Sequence, residues 1–271
     1  MPVRLMKQNK GFTLIEIMIA LMLGLIIIGA TLNIYISTIR SSADISNSAR
    51  LNYDLDSVAQ LMLNDIRRAG YWGGAVSDSD ANVNPFTNGN ANIQISDYTD
   101  ADGVLHSDGC ILYSYDSDNS DNLTEAPTLP TNLNSYYGFR FDRNSIWVRS
   151  SVTAAERTAN TVGCGNGNWN QIINEQQISV TALTFDNSNS QCSNVTTSEV
   201  YVDVTVPIDT SCAAAIAAAA GVTGKVSSGD TAVETQQIDI LLQGNVVGDV
   251  AVTKSLTAIV KIRNDRVFTQ P

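Results

Sequence analysis

From Phe12 to Ile36 the chain runs about 25 residues with one charge, Glu16. A helix needs roughly 20 apolar residues to cross a bilayer core, so this run is long enough. A carboxylate inside such a run costs about 2.5–3.5 kcal/mol on insertion scales, and an ionisable residue in a span is by default functional and has a partner. The residues before it suggest that partner. Residues 1–11 hold Arg4, Lys7 and Lys10, no acid, and end in Gly11. A secretory signal places its cleavage site after the apolar run; here the small residue comes before it. Cleavage after Gly11 would leave a free amine on Phe12, four residues from Glu16. That ammonium, in the same helix or a neighbouring chain, would offset the burial of the carboxylate. It would also set register, because only a neighbour at the right axial offset satisfies both charges.

Lys10-Gly11-Phe12-Thr13-Leu14-Ile15-Glu16 resembles the prepilin cleavage and methylation motif of type IV pilins and type II secretion pseudopilins. The resemblance implies cleavage after Gly11, N-methylation of Phe12 and an assembly role for Glu16. Asp65-Ile66-Arg67-Arg68-Ala69-Gly70-Tyr71-Trp72-Gly73 resembles the D-x-R-x-A-G-Y-x-G element that follows the helix in PilW-like minor pilins. Ile262-Arg263-Asn264-Asp265-Arg266 resembles the closing strand of that group. Major pilins usually carry a proline midway along the helix, whereas this chain has Asn33 in that neighbourhood.

The function so implied is that of a minor pilin that helps prime pilus assembly at the filament tip, with twitching motility and adhesion downstream. A type II secretion pseudopilin is the main alternative, and a membrane-anchored periplasmic binding domain is a third. The implied partners are the prepilin peptidase, other minor pilins, the major pilin, the assembly platform in the inner membrane, inner-membrane lipid and a tip adhesin. The implied location is the inner membrane, single-pass with the C-terminal domain periplasmic, and the pilus tip after assembly. The three leader cations agree with that orientation, since positive flanks stay cytoplasmic.

Residues 1–11 form the expected leader, 12–36 the membrane or filament-core helix and 37–69 its amphipathic half. No proline occurs between residues 3 and 84. Leu55, Val58, Ala59, Met62, Ile66 and Ala69 recur at spacings of three and four, one apolar stripe on a helix. Gly70 is a suitable stop. Tyr71 and Trp72 are expected to pack where helix meets domain, and Gly24 and Gly29 suit close helix packing as well as they suit tolerated breaks in lipid.

Residues 70–271 read as a β-rich globular domain. Gly109–Tyr115, Tyr136–Asp142, Ser145–Ser150 and Gln237–Leu242 are expected strands, the middle two a hairpin around Arg143-Asn144. Val200 to Val206 and Leu256 to Ile262 alternate apolar with polar residues. The pattern from Ile178 slips phase before Leu183 and Phe185, as a bulge would make it do. Ala213–Ala220 reads as a short helix, and residues 75–135 otherwise as polar loops. A long helix followed by antiparallel strands is an α+β order, the pilin fold the resemblance implies.

Four cysteines, Cys110, Cys164, Cys192 and Cys212, lie beyond the span. An even number in an oxidising compartment suggests two disulfides, with three connectivities open. Pairing Cys110 with Cys164 and Cys192 with Cys212 closes the shorter loops and is the expectation. With no CxxC spacing and one histidine, His106, no zinc site is expected. Asp78 to Asn84 and Asp116 to Ser120 begin like calcium loops, but lack the turn glycine and the closing glutamate, so no metal or cofactor is expected. The net charge is −11, and −14 once the three leader cations are removed, which argues against nucleic-acid binding by this domain. No catalytic constellation stands out, and the chain is not expected to be an enzyme.

Overall fold

The computed structural model describes residues 11–73, 84–87, 91–117, 133–158, 163–202 and 229–269. The chain divides into two compact units, Met1–Ala49 and Arg50–Pro271. The helix α1 (Leu14–Ile66, 53 residues) begins in the first and ends in the second.

In the first unit, α1 buries no residue. Its polar residues turn back on the helix: Thr31 Oγ1 donates to the Ile28 carbonyl, Asn33 Nδ2 to Gly29, and Ser37 Oγ and Thr38 Oγ1 to Ile34. Such bonds let polar side chains sit in an apolar medium without an orphaned donor. Among the described residues, a Cβ on Gly24 or Gly29 would meet nothing within 4 Å.

The second unit begins with the rest of α1, where Leu51, Leu55, Val58, Ala59, Met62 and Ile66 are buried. Three antiparallel sheets follow. The first has five strands in sequence order: β1 (Gln94–Thr99), β2 (Leu105–Ser114), β3 (Tyr136–Asp142), β4 (Ser145–Ser151) and β5 (Asn168–Gln171). A short helix, α2 (Ala154–Thr158), separates the last two. Later come β6 (Ile178–Asp186), β7 (Gln191–Asn194), β8 (Glu199–Val202), β9 (Thr231–Thr235), β10 (Gln237–Val246), β11 (Asp249–Lys261) and β12 (Arg266–Thr269). They form a three-stranded sheet ordered β11-β10-β6 and a four-stranded sheet ordered β12-β9-β7-β8. The α1 stripe joins Ile111, Tyr113, Phe139, Phe141 and Ile146 of the first sheet and Val180, Leu183, Ile240, Leu242 and Val260 of the second in one core.

Several sequence expectations appear as geometry. Arg143 and Asn144 both have positive φ, 46° and 57°, as a two-residue hairpin loop of matching twist requires. The phase slip in β6 is a bulge: Gln243 faces Ala182 and Gly244 faces Val180, which leaves Thr181 unpaired. Gly244 sits under α1, where an added Cβ would lie 3.3 Å from Leu55 Cδ1.

Other expectations fail. Residues 262–265 are no strand; β11 ends at Lys261 and the chain bends before β12. Val200 is 63% exposed, because β8 is the edge of its sheet. Strand β1 lies where polar loops are expected. Residues 203–228, with the alanine-rich segment and Val204 and Val206, lie outside the described residues, as do Asp78 and Asp118.

Both faces of the second half of β2, from Gly109 to Ser114, are covered. The Cys110–Cys164 disulfide pins residues 163–169 to the side away from α1, beside Leu112, Tyr98 and Trp169. Arg149 is buried on that side and donates to the Tyr137 carbonyl at 2.8 Å; burial pulls its pKa down to about 10. Gly167 (φ 91°) passes so close that a Cβ would lie 2.9 Å from Arg149 Cδ.

Candidate assembly site

The three residues singled out at the N-terminus lie together. Gly11 and Phe12 precede the first turn of α1, exposed and outside any regular element, with Phe12 79% exposed. Exposed, irregular backbone of this kind is what a peptidase can enter.

Glu16 stands three residues past Thr13, and the two form a reciprocal cap. The Glu16 N–H donates to Thr13 Oγ1 at 3.3 Å, and the Thr13 N–H donates to Glu16 Oε2 at 3.4 Å. This Thr-x-x-Glu capping box satisfies N–H groups that a helix start leaves over. The partial positive charge at that helix end favours a carboxylate there as well. Glu16 Oε1 accepts no hydrogen bond among the described residues. Sequence reasoning assigned Glu16 a charge partner and missed the cap, whose signal was the spacing Thr13 to Glu16.

At its other end, α1 is held by the glycine-bearing block. Gly70 has φ 73°, and an added Cβ would lie 3.0 Å from Thr87 Cγ2 and 3.2 Å from the Asn264 carbonyl oxygen. Its N–H donates to the Ser114 carbonyl at 2.8 Å, and its carbonyl accepts from Asn84 Nδ2 at 2.9 Å. Asn264, at the bend after β11, donates from Nδ2 to the Ala69 carbonyl at 3.0 Å. It caps the helix end, so the Ile262–Arg266 segment works here through a bend.

One turn earlier, Asp65 accepts two phenol hydroxyls, from Tyr113 at 2.5 Å and Tyr115 at 2.8 Å. Arg68 lies over the Tyr115 ring at 4.3 Å, and Tyr137 stacks on Tyr115 with ring centroids 4.1 Å apart. Burial first, then the Asp65 charge, pushes both phenol pKa values well up. Trp72 is buried as expected; Tyr71 is 42% exposed and is not. Asp116, the start of one calcium-like segment, instead accepts the Gly73 N–H at 3.1 Å, and Asn84, the end of the other, accepts the Phe86 N–H at 2.9 Å. Among the described residues no group of His, Cys, Asp and Glu could hold a metal ion.

The cysteines belong to the second unit. Cys110 and Cys164 are joined as expected. Cys192, on β7, is disulfide-bonded, and Cys212 lies outside the described residues.

Two family models match the chain. The prokaryotic N-terminal methylation motif matches residues 6–32. The model described as prepilin peptidase-dependent protein B matches residues 44–262. No curated protein and no solved structure matches.

Proposed function

Because the chain belongs to the prepilin peptidase-dependent protein B family, we propose that it is a minor type IV pilin of the PilW-like kind, which helps prime pilus assembly at the filament tip. The observation that carries this reading is the start of α1: an exposed Gly11-Phe12 junction in front of a 53-residue helix whose first half is apolar and buries nothing of its own. In this reading the prepilin peptidase cuts the Gly11–Phe12 bond and methylates the Phe12 amine. The remaining helix anchors the subunit in the inner membrane, domain outward, until it passes through the assembly platform. Glu16 then uses its two oxygens separately. Oε2 stays in the cap with Thr13, and Oε1 meets the terminal ammonium of a neighbouring subunit. The domain, closed by Cys110–Cys164 and by a Cys192–Cys212 bridge, meets other minor pilins, the major pilin below and an adhesin at the tip.

A clean deletion strain, scored for surface pili and secreted exoproteins together, tests this. Loss of pili with normal secretion is expected. Normal pili with secretion lost would identify a type II secretion pseudopilin. No change in either would leave an anchored binding domain outside any filament. In the same strain Gly11→Val should retain the leader, read as a mature mass that includes residues 1–11.

A further inference from the structure

Between α2 and β5 the chain carries Asn166-Gly167. Asparagine is a thermolabile residue, and a following glycine has no Cβ to keep its backbone nitrogen away from the amide. In the reaction such a pair undergoes, the Gly167 nitrogen loses its proton and bonds to Asn166 Cγ. The Cγ–Nδ2 bond breaks, ammonia leaves with the proton, and a five-membered imide remains. Water then opens the imide to aspartate or isoaspartate, with no oxidant or reductant. The ring can close only if the peptide plane between Asn166 and Gly167 turns towards the side chain.

That plane is held on both sides. The Gly167 N–H donates to Glu156 Oε1 at 3.0 Å, and the Asn166 carbonyl accepts from Trp169 Nε1 at 2.7 Å. The Asn166 side chain is held too, its Oδ1 accepting the Gly163 N–H at 3.3 Å. Glu156 is itself fixed, because Oε2 accepts both the N–H and the hydroxyl of Thr153, each at 2.8 Å. The Thr153 N–H first, and then the Gly167 N–H and the Asn166 side chain, hold the Glu156 carboxyl below its ordinary pKa, so it is charged at neutral pH. A charged acceptor makes the stronger hydrogen bond. It also opposes the first step of the reaction, since a negative charge beside the Gly167 nitrogen disfavours removal of its proton. The Cys110–Cys164 bridge fastens the same loop.

We propose that Asn166-Gly167 is a latent self-modification site, which Glu156 keeps shut by holding the Gly167 N–H. Isoaspartate at Asn166 would add a methylene to the backbone and a second negative charge beside Glu156. The loop has no room for it: even a Cβ on Gly167 would lie 2.7 Å from the Ser151 carbonyl oxygen and 2.9 Å from Arg149 Cδ. Conversion would therefore lift the loop off buried Arg149.

The test incubates the full-length, oxidised chain in detergent at mildly alkaline pH and follows the Asn166 peptide by mass spectrometry, with isoaspartate read by its separate elution. The wild type should convert far more slowly than the same chain reduced and unfolded. Glu156→Ala should convert at least about tenfold faster than the wild type, the factor for one lost hydrogen bond to a charged group. Glu156→Gln, which keeps an acceptor and the shape, should fall between them. Leu55→Ala weakens the domain without touching this loop, and should convert at the wild-type rate while it remains folded. Three results would overturn the proposal: a folded wild type as fast as the unfolded chain, Glu156→Ala no faster than the wild type, or Leu55→Ala as fast as Glu156→Ala.

Discussion

The two halves of α1 have the same backbone and different surroundings. From Leu14 to Ile36 the helix is apolar on nearly every side, and none of it is buried. From Arg50 to Ile66 the apolar residues narrow to a stripe, and that stripe is buried in the core of the second unit. A helix that is hydrophobic all round must find its medium elsewhere, in lipid or among other helices, whereas an amphipathic one finds it in its own chain. The second half therefore answers to the fold, and the first half answers to assembly. The polar groups follow the same division. In the first half Thr31, Asn33, Ser37 and Thr38 turn inward to helix carbonyls. In the second, Asp65 reaches out to Tyr113 and Tyr115.

Substitution on the two halves should separate these roles. Leu55→Ala, in the stripe and fully buried, should destabilise the domain by about 2–5 kcal/mol, read as a lowered midpoint in denaturant. Ile27→Ala, exposed in the first half, should leave that midpoint within about 0.5 kcal/mol. Equal effects would erase the contrast.

The next effect belongs to Asp65. Asp65→Ala leaves two phenols without their acceptor and should cost about 1–3 kcal/mol for each. The same cluster sets an alkaline limit. The Tyr113 pKa lies well above 10.0, the ordinary value, so its proton is held by the folded state after the unfolded chain has begun to release it. The folded state then binds more protons, and stability falls as pH rises above about 10, by up to about 1.4 kcal/mol per unit for Tyr113. Below that pH this group gives no slope. Tyr113→Phe should flatten the alkaline limb; an unchanged limb would show that the phenol does not titrate with unfolding. Asn264→Ala frees the Ala69 carbonyl and should cost about 1 kcal/mol, the smallest of the destabilising changes within the domain.

How much of this could be read from sequence differs along the chain. The span, the stripe and the Gly70 stop were visible because helix periodicity and glycine's freedom at positive φ are local properties. The Arg143-Asn144 turn and the β6 bulge were legible for the same reason. Strand β1 was not, because Gln94–Thr99 carries few apolar residues and owes its place to pairing with β2. Asn264 reads from sequence as part of a strand, because its partner, the end of α1, lies almost two hundred residues earlier, at Ala69. The double acceptance at Asp65 was equally hidden, since Tyr113 and Tyr115 reach it only once β2 is in the sheet. At the start of α1 the signal for the capping box is local, the three-residue spacing from Thr13 to Glu16.

Glu16→Gln separates the two uses of that side chain. Glutamine keeps an acceptor for the Thr13 N–H and so preserves the capping box, but it removes the charge a neighbouring ammonium would need. Surface pili should be counted in a deletion strain complemented with Glu16→Gln, after confirming that the subunit is stable and begins at Phe12. A processed, stable subunit with pili reduced to the level of the deletion is the expected result. Wild-type pilus numbers from that strain would mean that Glu16 serves the helix alone and that the charge pair is wrong.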